Sequence, residues 1–294
     1  MRILVTGKNG QLGKSIQKIV YEENSNSQNA NNFVFVGREE LDLSDENNIN
    51  NYFDNNDRFD IIINCAAYTA VDKAEEEKDL ANQVNHLAVQ QLAEISNKHK
   101  TKLMHISTDY VFDGESDEPY TETDKTNPIN VYGKTKLAGE KALQEVMSTN
   151  AIIIRTSWLY SEYGNNFVKN MLKLGKERDE LNVVSDQIGS PTYATDLAKA
   201  ILEIINNKNY HNKEQSTEVY HYSNEGEISW YEFTKGIFKI AKVDCKVNPI
   251  TTEQYPTPAK RPRNTLMIQD KISERFDITM RGWINSLRAC VEPF

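Results

Sequence analysis

The chain has 294 residues, 38% of them hydrophobic, and 43 acidic against 34 basic side chains give a formal net charge of −9. That length supports a full core and exceeds one ordinary compact domain, which predicts a large domain with a smaller appendage. The acidic balance, with no lysine and arginine cluster, excludes non-specific binding to nucleic acid, and no apolar run approaches the length needed to cross a bilayer. Met1-Arg2-Ile3-Leu4-Val5 opens without a basic-then-apolar leader, so a cytoplasmic location is expected. Cys65, Cys245 and Cys290 at unrelated spacings fit thiols in a reducing compartment, and the five histidines show no metal-ligand spacing, so no metal is expected.

Arg2 to Thr6 is a short β-prone apolar run, followed at once by Gly7-Lys8-Asn9-Gly10-Gln11-Leu12-Gly13 and the helical pattern Leu12, Ile16, Ile19, Val20. Strand, glycine turn and helix are the context of a dinucleotide fingerprint, here spaced GxxGxxG. Gly7 and Gly10 let the backbone turn sharply and approach a pyrophosphate, whose charge is met by the helix N-terminus. Gly13-Lys14-Ser15 looks like the end of a nucleoside-triphosphate loop, but that motif needs glycine where Lys8 stands, and Gly7 is one residue too early.

Asn24 to Asn32 is a polar, asparagine-rich run read as a surface loop. Phe33 to Val36 is the second strand and ends in Gly37-Arg38, where an NAD-specific enzyme carries an acid for the ribose hydroxyl. Arginine there points to NADPH, with a plain surface cap as the other reading. Leu41-Asp42-Leu43-Ser44-Asp45 leads into a short helix through about Phe53, capped by Ser44 or Asp45. Ile61 to Asn64 is the third strand, and Cys65-Ala66-Ala67-Tyr68 then offers small side chains beside a flat cofactor. The next helix is expected from Leu80 to Lys98, with Val84, Leu87, Ala88, Gln91, Leu92 and Ile95 as its buried stripe.

Lys102 to Ser107 is the fourth strand, and Thr108 falls at its carboxyl end, where open parallel sheets bind ligands. After the polar turn region Pro119 to Pro128 comes a helix carrying Tyr132 and Lys136, which runs to about Val146. Four residues apart, the two side chains share one helix face. An ammonium about 4 Å from a phenol at an effective dielectric near 20 is worth roughly 4 kcal/mol, so the phenol is expected to fall from about 10 by about three pK units. Ala151 to Arg155 is the fifth strand. This alternation commits the fold to α/β, a Rossmann-type doubly wound parallel sheet.

From Thr156 the rhythm loosens. Trp158, Tyr160, Asn165, Asn166 and Phe167 supply aromatic and amide groups suited to a sugar or base. Asp186 to Thr192 is a turn before a helix from Thr195 to Ile205. Tyr220-His221-Tyr222, a helix from Trp230 to Ala241 and the proline-rich Tyr255 to Pro262 follow, the last with Lys260 or Arg261 placed to clamp a phosphate. The expected division is a dinucleotide-binding domain over 1–156, with 187–206 returning to it, and a smaller C-terminal substrate-binding portion over 157–186 and 207–294.

The motifs GKNGQLG, CAAYTAVDKAE, STDYVFDG, NPINVYGKTKLAGEK, RTSWLY, GNNF and YPTPAKRP span nearly the whole chain. Through them it resembles the extended short-chain dehydrogenase/reductases, and among those the reductases of nucleotide-linked keto sugars. The resemblance implies a catalytic set of Thr108, Tyr132 and Lys136. It places Gly10, Gln11, Leu12, Asp42, Leu43, Ala66, Ala67 and Tyr68 along the cofactor, and has Lys136 hold the nicotinamide ribose. Asp109, Tyr110 and Trp158 would face the sugar nucleotide, joined by Lys73, Asn166 and Arg261. The implied reaction carries hydride from NADPH, or NADH, to C4 of dTDP-4-dehydro-β-L-rhamnose while Tyr132 protonates the alkoxide. The implied partner is thus a dTDP-linked keto-deoxy sugar, with a homodimer left open.

Sugar-nucleotide dehydratases of the superfamily follow the threonine and acid with a glutamate base. Here that residue is Tyr110, which favours reduction over elimination. Some related reductases join subunits through a metal held by acids, one of them at the position of Ser15. Two other readings stand beside reduction of this sugar. One is a non-catalytic NADP-binding regulatory subunit similar to that of methionine adenosyltransferase, which has no need of an intact Thr108, Tyr132 and Lys136. The other is reduction of a different nucleotide-linked 4-keto sugar.

Overall fold

A computed structural model describes residues 1–24, 31–211 and 216–292, so most of the asparagine-rich run expected as a surface loop lies outside the described residues. The first half runs β1 (Arg2–Thr6), α1 (Gln11–Asn24), β2 (Asn32–Phe35), α2 (Glu46–Asp54), β3 (Ile61–Asn64), α3 (Val71–Ala74) and α4 (Lys78–Asn82). A π-helical turn (Gln83–Leu87) leads into α5 (Ala88–His99), β4 (Lys102–Thr108), α6 (Val131–Val146) and β5 (Ala151–Thr156). The second half adds β6 (Leu159–Tyr160), α7 (Phe167–Glu177), β7 (Glu180–Val184), β8 (Ile188–Gly189), β9 (Thr192–Tyr193) and α8 (Ala194–Asn206). It ends with β10 (Glu218–Tyr222), β11 (Ile228–Ser229), α9 (Trp230–Ala241), β12 (Lys246–Ile250), α10 (Asp270–Phe276) and α11 (Trp283–Val291).

Six strands form one parallel sheet in the order β10-β5-β4-β3-β1-β2. The chain leaves β1 toward β2 and then returns to β3 on the other side, so the strand order reverses there and a ligand crevice opens at the carboxyl ends. Both sheet faces are covered, which is why the strands are apolar at consecutive positions rather than alternating. Ile3, Val5, Ile63, Met104 and Ile154 pack with Ile16, Leu197, Ile201 and Ile272 on one side. Leu4, Ile62, Leu103 and Ile153 pack with Ile49, Leu92 and Leu143 on the other. A separate cluster of Val168, Leu181, Ile228, Phe233, Ile237 and Leu287 holds the smaller portion, where β12 pairs in parallel with β7.

Two expectations change. Glu218–Tyr222, assigned from sequence to the substrate-binding portion, is instead the sixth strand of the main sheet, paired with β5 from Glu218↔Ile152 to Tyr222↔Thr156. With α10, whose Ile272 and Phe276 join the sheet's core, it covers the fully buried β5, whose open edge would otherwise leave backbone groups unpaired. The helix expected from Leu80 to Lys98 is broken by the π turn, whose extra residue rotates the stripe. Ala88, Val89, Leu92, Ala93 and Ser96 are buried in α5, while Leu87 is 41% exposed. Among the described residues no helix is long and apolar enough to cross a membrane.

Candidate active site

The glycine turn brings bare backbone to the sheet. Gly7 lies at φ +70°, and a Cβ there would come 2.9 Å from the Ala66 nitrogen, so β1 and the segment after β3 meet with no side chain between them. Gly10 N donates to Gly7 O at 2.9 Å, and α1 opens immediately after. No acidic residue occupies its first turn, so its unpaired N–H groups and positive dipole end suit a pyrophosphate. Asn9 lies against Gly37, and the buried Ser15 donates to Gln11 O at 3.0 Å.

The Gln11 side chain turns toward the smaller portion. Its Nε2 donates to Leu159 O at 3.2 Å, and its Oε1 accepts from Ser161 Oγ at 3.0 Å and Asn166 Nδ2 at 2.9 Å. Asn166 also donates to the Ser161 and Tyr163 carbonyls and caps α7 by accepting from Lys169 N at 3.1 Å. Its amide, expected from the resemblance at the substrate, is engaged at both ends in tying α7 to the glycine turn.

At the far end of the crevice Arg38 donates from Nε to Asp42 Oδ2 at 3.1 Å and from a terminal nitrogen to Ser44 Oγ at 3.3 Å. The Arg38 side chain is 74% exposed. Burial works to raise the Asp42 carboxyl, but bonds from Ser44 and Arg38 outweigh it and hold the group below its ordinary value. Leu43 is buried beneath, and Lys8 pairs with Glu40 nearby.

The segment Ala66 to Tyr68 is bracketed by residues that sequence reasoning did not single out. Ala66 N donates to Thr6 Oγ1 at 3.2 Å. Asn85, buried on the π turn, accepts from Tyr68 N at 2.9 Å, donates to Tyr68 O at 3.0 Å and reaches Thr135 Oγ1 on α6 at 3.2 Å. Tyr68 OH donates to Glu77 at 2.6 Å. The one available signal was an asparagine amid the apolar spacing of a presumed continuous helix, and the π turn hid its direction.

Thr108 closes β4 and caps the 3₁₀ turn Asp109–Val111, accepting from Tyr110 N at 3.2 Å and donating to Asp109 Oδ1 at 2.9 Å. Asn130 caps α6 by accepting from Gly133 N at 2.8 Å. A Cβ on Gly133 would fall 2.1 Å from Tyr110 O, so the first turn of α6 abuts the 3₁₀ turn directly. The Tyr110 and Tyr132 rings accordingly meet edge to face with centroids 5.7 Å apart. Burial lifts the Asp109 carboxyl to about 6 against the hydroxyls of Thr265 and Thr108, which favour its charged form.

The charge relation expected between Tyr132 and Lys136 is not the one found. Burial pushes the Tyr132 phenol up to about 12, although the Thr108 hydroxyl favours the phenolate. Lys136, 1% exposed, donates to Ile106 O at 2.7 Å and lies 3.3 Å from His105 Nε2. Burial draws its ammonium down to about 8, with Glu140 and Cys65 acting the other way. The same desolvation penalises both charged forms, and the ammonium is anchored on β4 rather than spent on the phenol. Glu140, one turn along α6, is held by Arg155 of β5 through a two-pronged contact at 3.0 and 2.7 Å and by the Ser107 hydroxyl, which locks α6 to the sheet.

The proline-rich segment closes over this region. Arg261 forms a two-pronged ion pair with Asp72 of α3, one arm at 2.7 Å, and Ala259 N donates to the same carboxylate at 3.1 Å. Asn130 Nδ2 donates to Lys260 O and Glu75 accepts from Val131 N, both at 2.8 Å. Arg261 thus stands beside Tyr110, with Lys73 exposed on the same short helix as Asp72. Trp158 adopts φ +47°, and its ring stacks on Trp230 with centroids 3.5 Å apart.

A parallel sheet with a glycine turn at its switch point, and Thr108, Tyr132 and Lys136 gathered at the carboxyl end of β4, define an extended short-chain dehydrogenase/reductase. Residues 1–294 match the family described as RmlD substrate binding domain. The dTDP-4-dehydrorhamnose reductase of Aggregatibacter actinomycetemcomitans is 42% identical over 293 residues, covering 98% of this chain and 97% of its own. The crystal structure of a dTDP-4-dehydrorhamnose reductase from Clostridium acetobutylicum covers 100% of this chain and 99% of its own, with a TM-score of 0.90 and 40% identity. That from Bacillus anthracis, solved in complex with NADP, gives 0.89 and 39% over the same shares. The chain belongs to the dTDP-4-dehydrorhamnose reductase family.

Proposed function

We propose that this chain reduces the C4 keto group of dTDP-4-dehydro-β-L-rhamnose to give dTDP-L-rhamnose, with NADPH as the preferred reductant. The observation that carries this reading is the Thr108 hydroxyl beside the Tyr132 phenol at the carboxyl edge of the sheet, with Lys136 buried one turn on. When bound, the dihydronicotinamide supplies the hydride. Tyr132 gives its proton to O4 as negative charge develops there, and the Thr108 hydroxyl shares that oxygen. A phenol raised to about 12 is fully protonated at neutral pH, the form that reduction requires.

Lys136, charged below about 8, stabilises the phenolate left behind and holds the nicotinamide ribose. Asp109, Tyr110 and Trp158 orient the sugar nucleotide, and Arg261 and Lys73 meet the diphosphate, Arg261 turning from Asp72 to do so. The N-terminus of α1 meets the cofactor pyrophosphate between Gly7, Gly10 and the small residues Ala66 and Ala67. Arg38, exposed and bonded on one side only to Asp42 and Ser44, suits the 2′-phosphate of NADPH.

The test follows NADPH oxidation by the purified chain with the dTDP-linked keto sugar. Substrate-dependent oxidation, and its loss in Tyr132→Phe with cofactor binding kept, is expected. Turnover of a differently linked 4-keto sugar in preference, or none with either, overturns the assignment.

A further inference from the structure

Three polar residues lie side by side across the sheet, where Thr6 of β1 pairs with Asn64 of β3 and Asn64 with His105 of β4. Paired positions share a face, and this is the face that carries Leu4, Ile62 and Leu103 one step below and α6 above. Thr6, Asn64 and His105 are 2%, 1% and 0% exposed. Such a row costs stability unless it is bonded end to end, and it is. Thr6 accepts from Ala66 N and donates to Asn64 Oδ1 at 2.7 Å, Asn64 Nδ2 donates to His105 Nδ1 at 3.1 Å, and His105 Nε2 meets Lys136 Nζ at 3.3 Å. The reaction proposed above uses none of the three.

A neutral imidazole carries one N–H. With Asn64 donating to Nδ1, the ring proton sits on Nε2 and faces Lys136, which accepts it only as a neutral amine. With the amide turned over, the Asn64 carbonyl takes Nδ1–H, Thr6 accepts from the amide, and Nε2 offers its lone pair to an ammonium. The two states share one set of atom sites with the Asn64 oxygen and nitrogen exchanged, Thr6 accepting from both Ala66 N and the amide in the second, and they differ in composition by one proton on Lys136.

We propose that the Thr6–Asn64–His105 row is a positioning relay for Lys136, reversing its hydrogen-bond polarity as that lysine loses and regains its proton. The inference rests on Lys136 taking part in the proposed reduction. At equilibrium the ring keeps a single N–H throughout, so the net change is the lysine proton alone. The other ionisable groups around the ammonium are Glu140 on its own helix, itself bound to Arg155 of β5 and Ser107 of β4, and the Cys65 thiol after β3. Tyr132 stands one turn earlier on the same helix, beside the buried Asp109, and the π turn contributes the neutral Asn85. Burial and the Lys136 charge hold His105 well below the ordinary histidine value, which keeps the ring neutral.

The test is a ring-nitrogen NMR titration of the full chain, labelled with ¹⁵N histidine, between about pH 6 and about pH 10. The His105 signals are assigned by their loss in His105→Gln. The ring N–H is expected to move from Nδ1 to Nε2 as pH rises through about 8, and to stay on one nitrogen in Lys136→Met. A single tautomer in the unaltered chain at every pH, or an imidazolium in this range, overturns the relay. In turnover, His105→Leu is expected to move the alkaline limb of the kcat profile down by about one pH unit, and Asn64→Asp, which can only accept from Nδ1–H, to move it up. Unmoved limbs in both variants also overturn it. Tautomer exchange without reduction of the dTDP-linked keto sugar rejects the proposed reaction and leaves the relay standing.

Discussion

Asn166 Nδ2 donates to Gln11 Oε1 across 2.9 Å although the two residues are 155 apart in sequence. Gln11 opens the helix whose N-terminus suits a pyrophosphate and Asn166 caps α7, so one amide pair sets the glycine turn against the smaller portion. Asn166→Ala removes a cap worth about 1 kcal/mol and leaves buried partners unpaired at about 1–2 kcal/mol more. Urea midpoints are expected to show a loss of about 2–3 kcal/mol, with cofactor KM rising more than kcat falls. Asn166→Ser keeps a capping hydroxyl without setting a carboxylate against the Gln11, Ser161 and Tyr163 oxygens, and is expected to recover about 1 kcal/mol of it.

Tyr132→Phe tests the acid. Steady-state assays are expected to show turnover down by about 10²–10⁴-fold, while NADPH titration of the variant gives an unchanged Kd. In the unaltered chain the rate of reduction is expected to hold through neutral pH and fall as pH rises through about 8, where Lys136 gives up its charge, well before the phenol itself titrates near 12. A flat rate to about pH 10 would separate Lys136 from the reaction.

Arg38 tests the reductant. One charge-assisted contact to a phosphate is worth about 1.5–3 kcal/mol, so Arg38→Gln is expected to lower kcat/KM for NADPH by about 10–100-fold and leave that for NADH nearly unchanged. Paired assays with the two cofactors measure it, and equal losses with both would place the guanidinium away from the 2′-phosphate.

His105 and His221 make stability depend on pH. Burial and the neighbouring Arg155 bring His221 down to about 3, and burial and Lys136 hold His105 well below its ordinary value. Below about 6.5 the unfolded chain binds protons that these folded rings refuse, so stability falls with falling pH. From pH 7 to pH 5 His221 is expected to cost about 2 kcal/mol, and His105 adds to the loss in the same direction. Urea unfolding at the two pH values measures the sum, and His221→Gln is expected to remove about 2 kcal/mol of it.

Much of the fold was legible because its signals are local. β1, the glycine turn and α1 follow one another within 24 residues, each announced by its own spacing, and the burial of both sheet faces is written in the unbroken apolar strands. Tyr132 and Lys136 were legible as a pair because helical spacing places them on one face. Their charges were not, since desolvation depends on what the rest of the chain packs around them.

What the sequence settled by itself was the order of strands and helices, the turn that suits a pyrophosphate, and the side chains carried to the carboxyl edge, each a matter of neighbours within a few residues. What the tertiary structure alone decided was β10 as the sixth strand, the π turn that aims Asn85, the Asp72–Arg261 clasp and the row from Thr6 to His105. These depend on register and packing between distant segments, and no pattern along one stretch of chain records which residue of another strand will lie beside it.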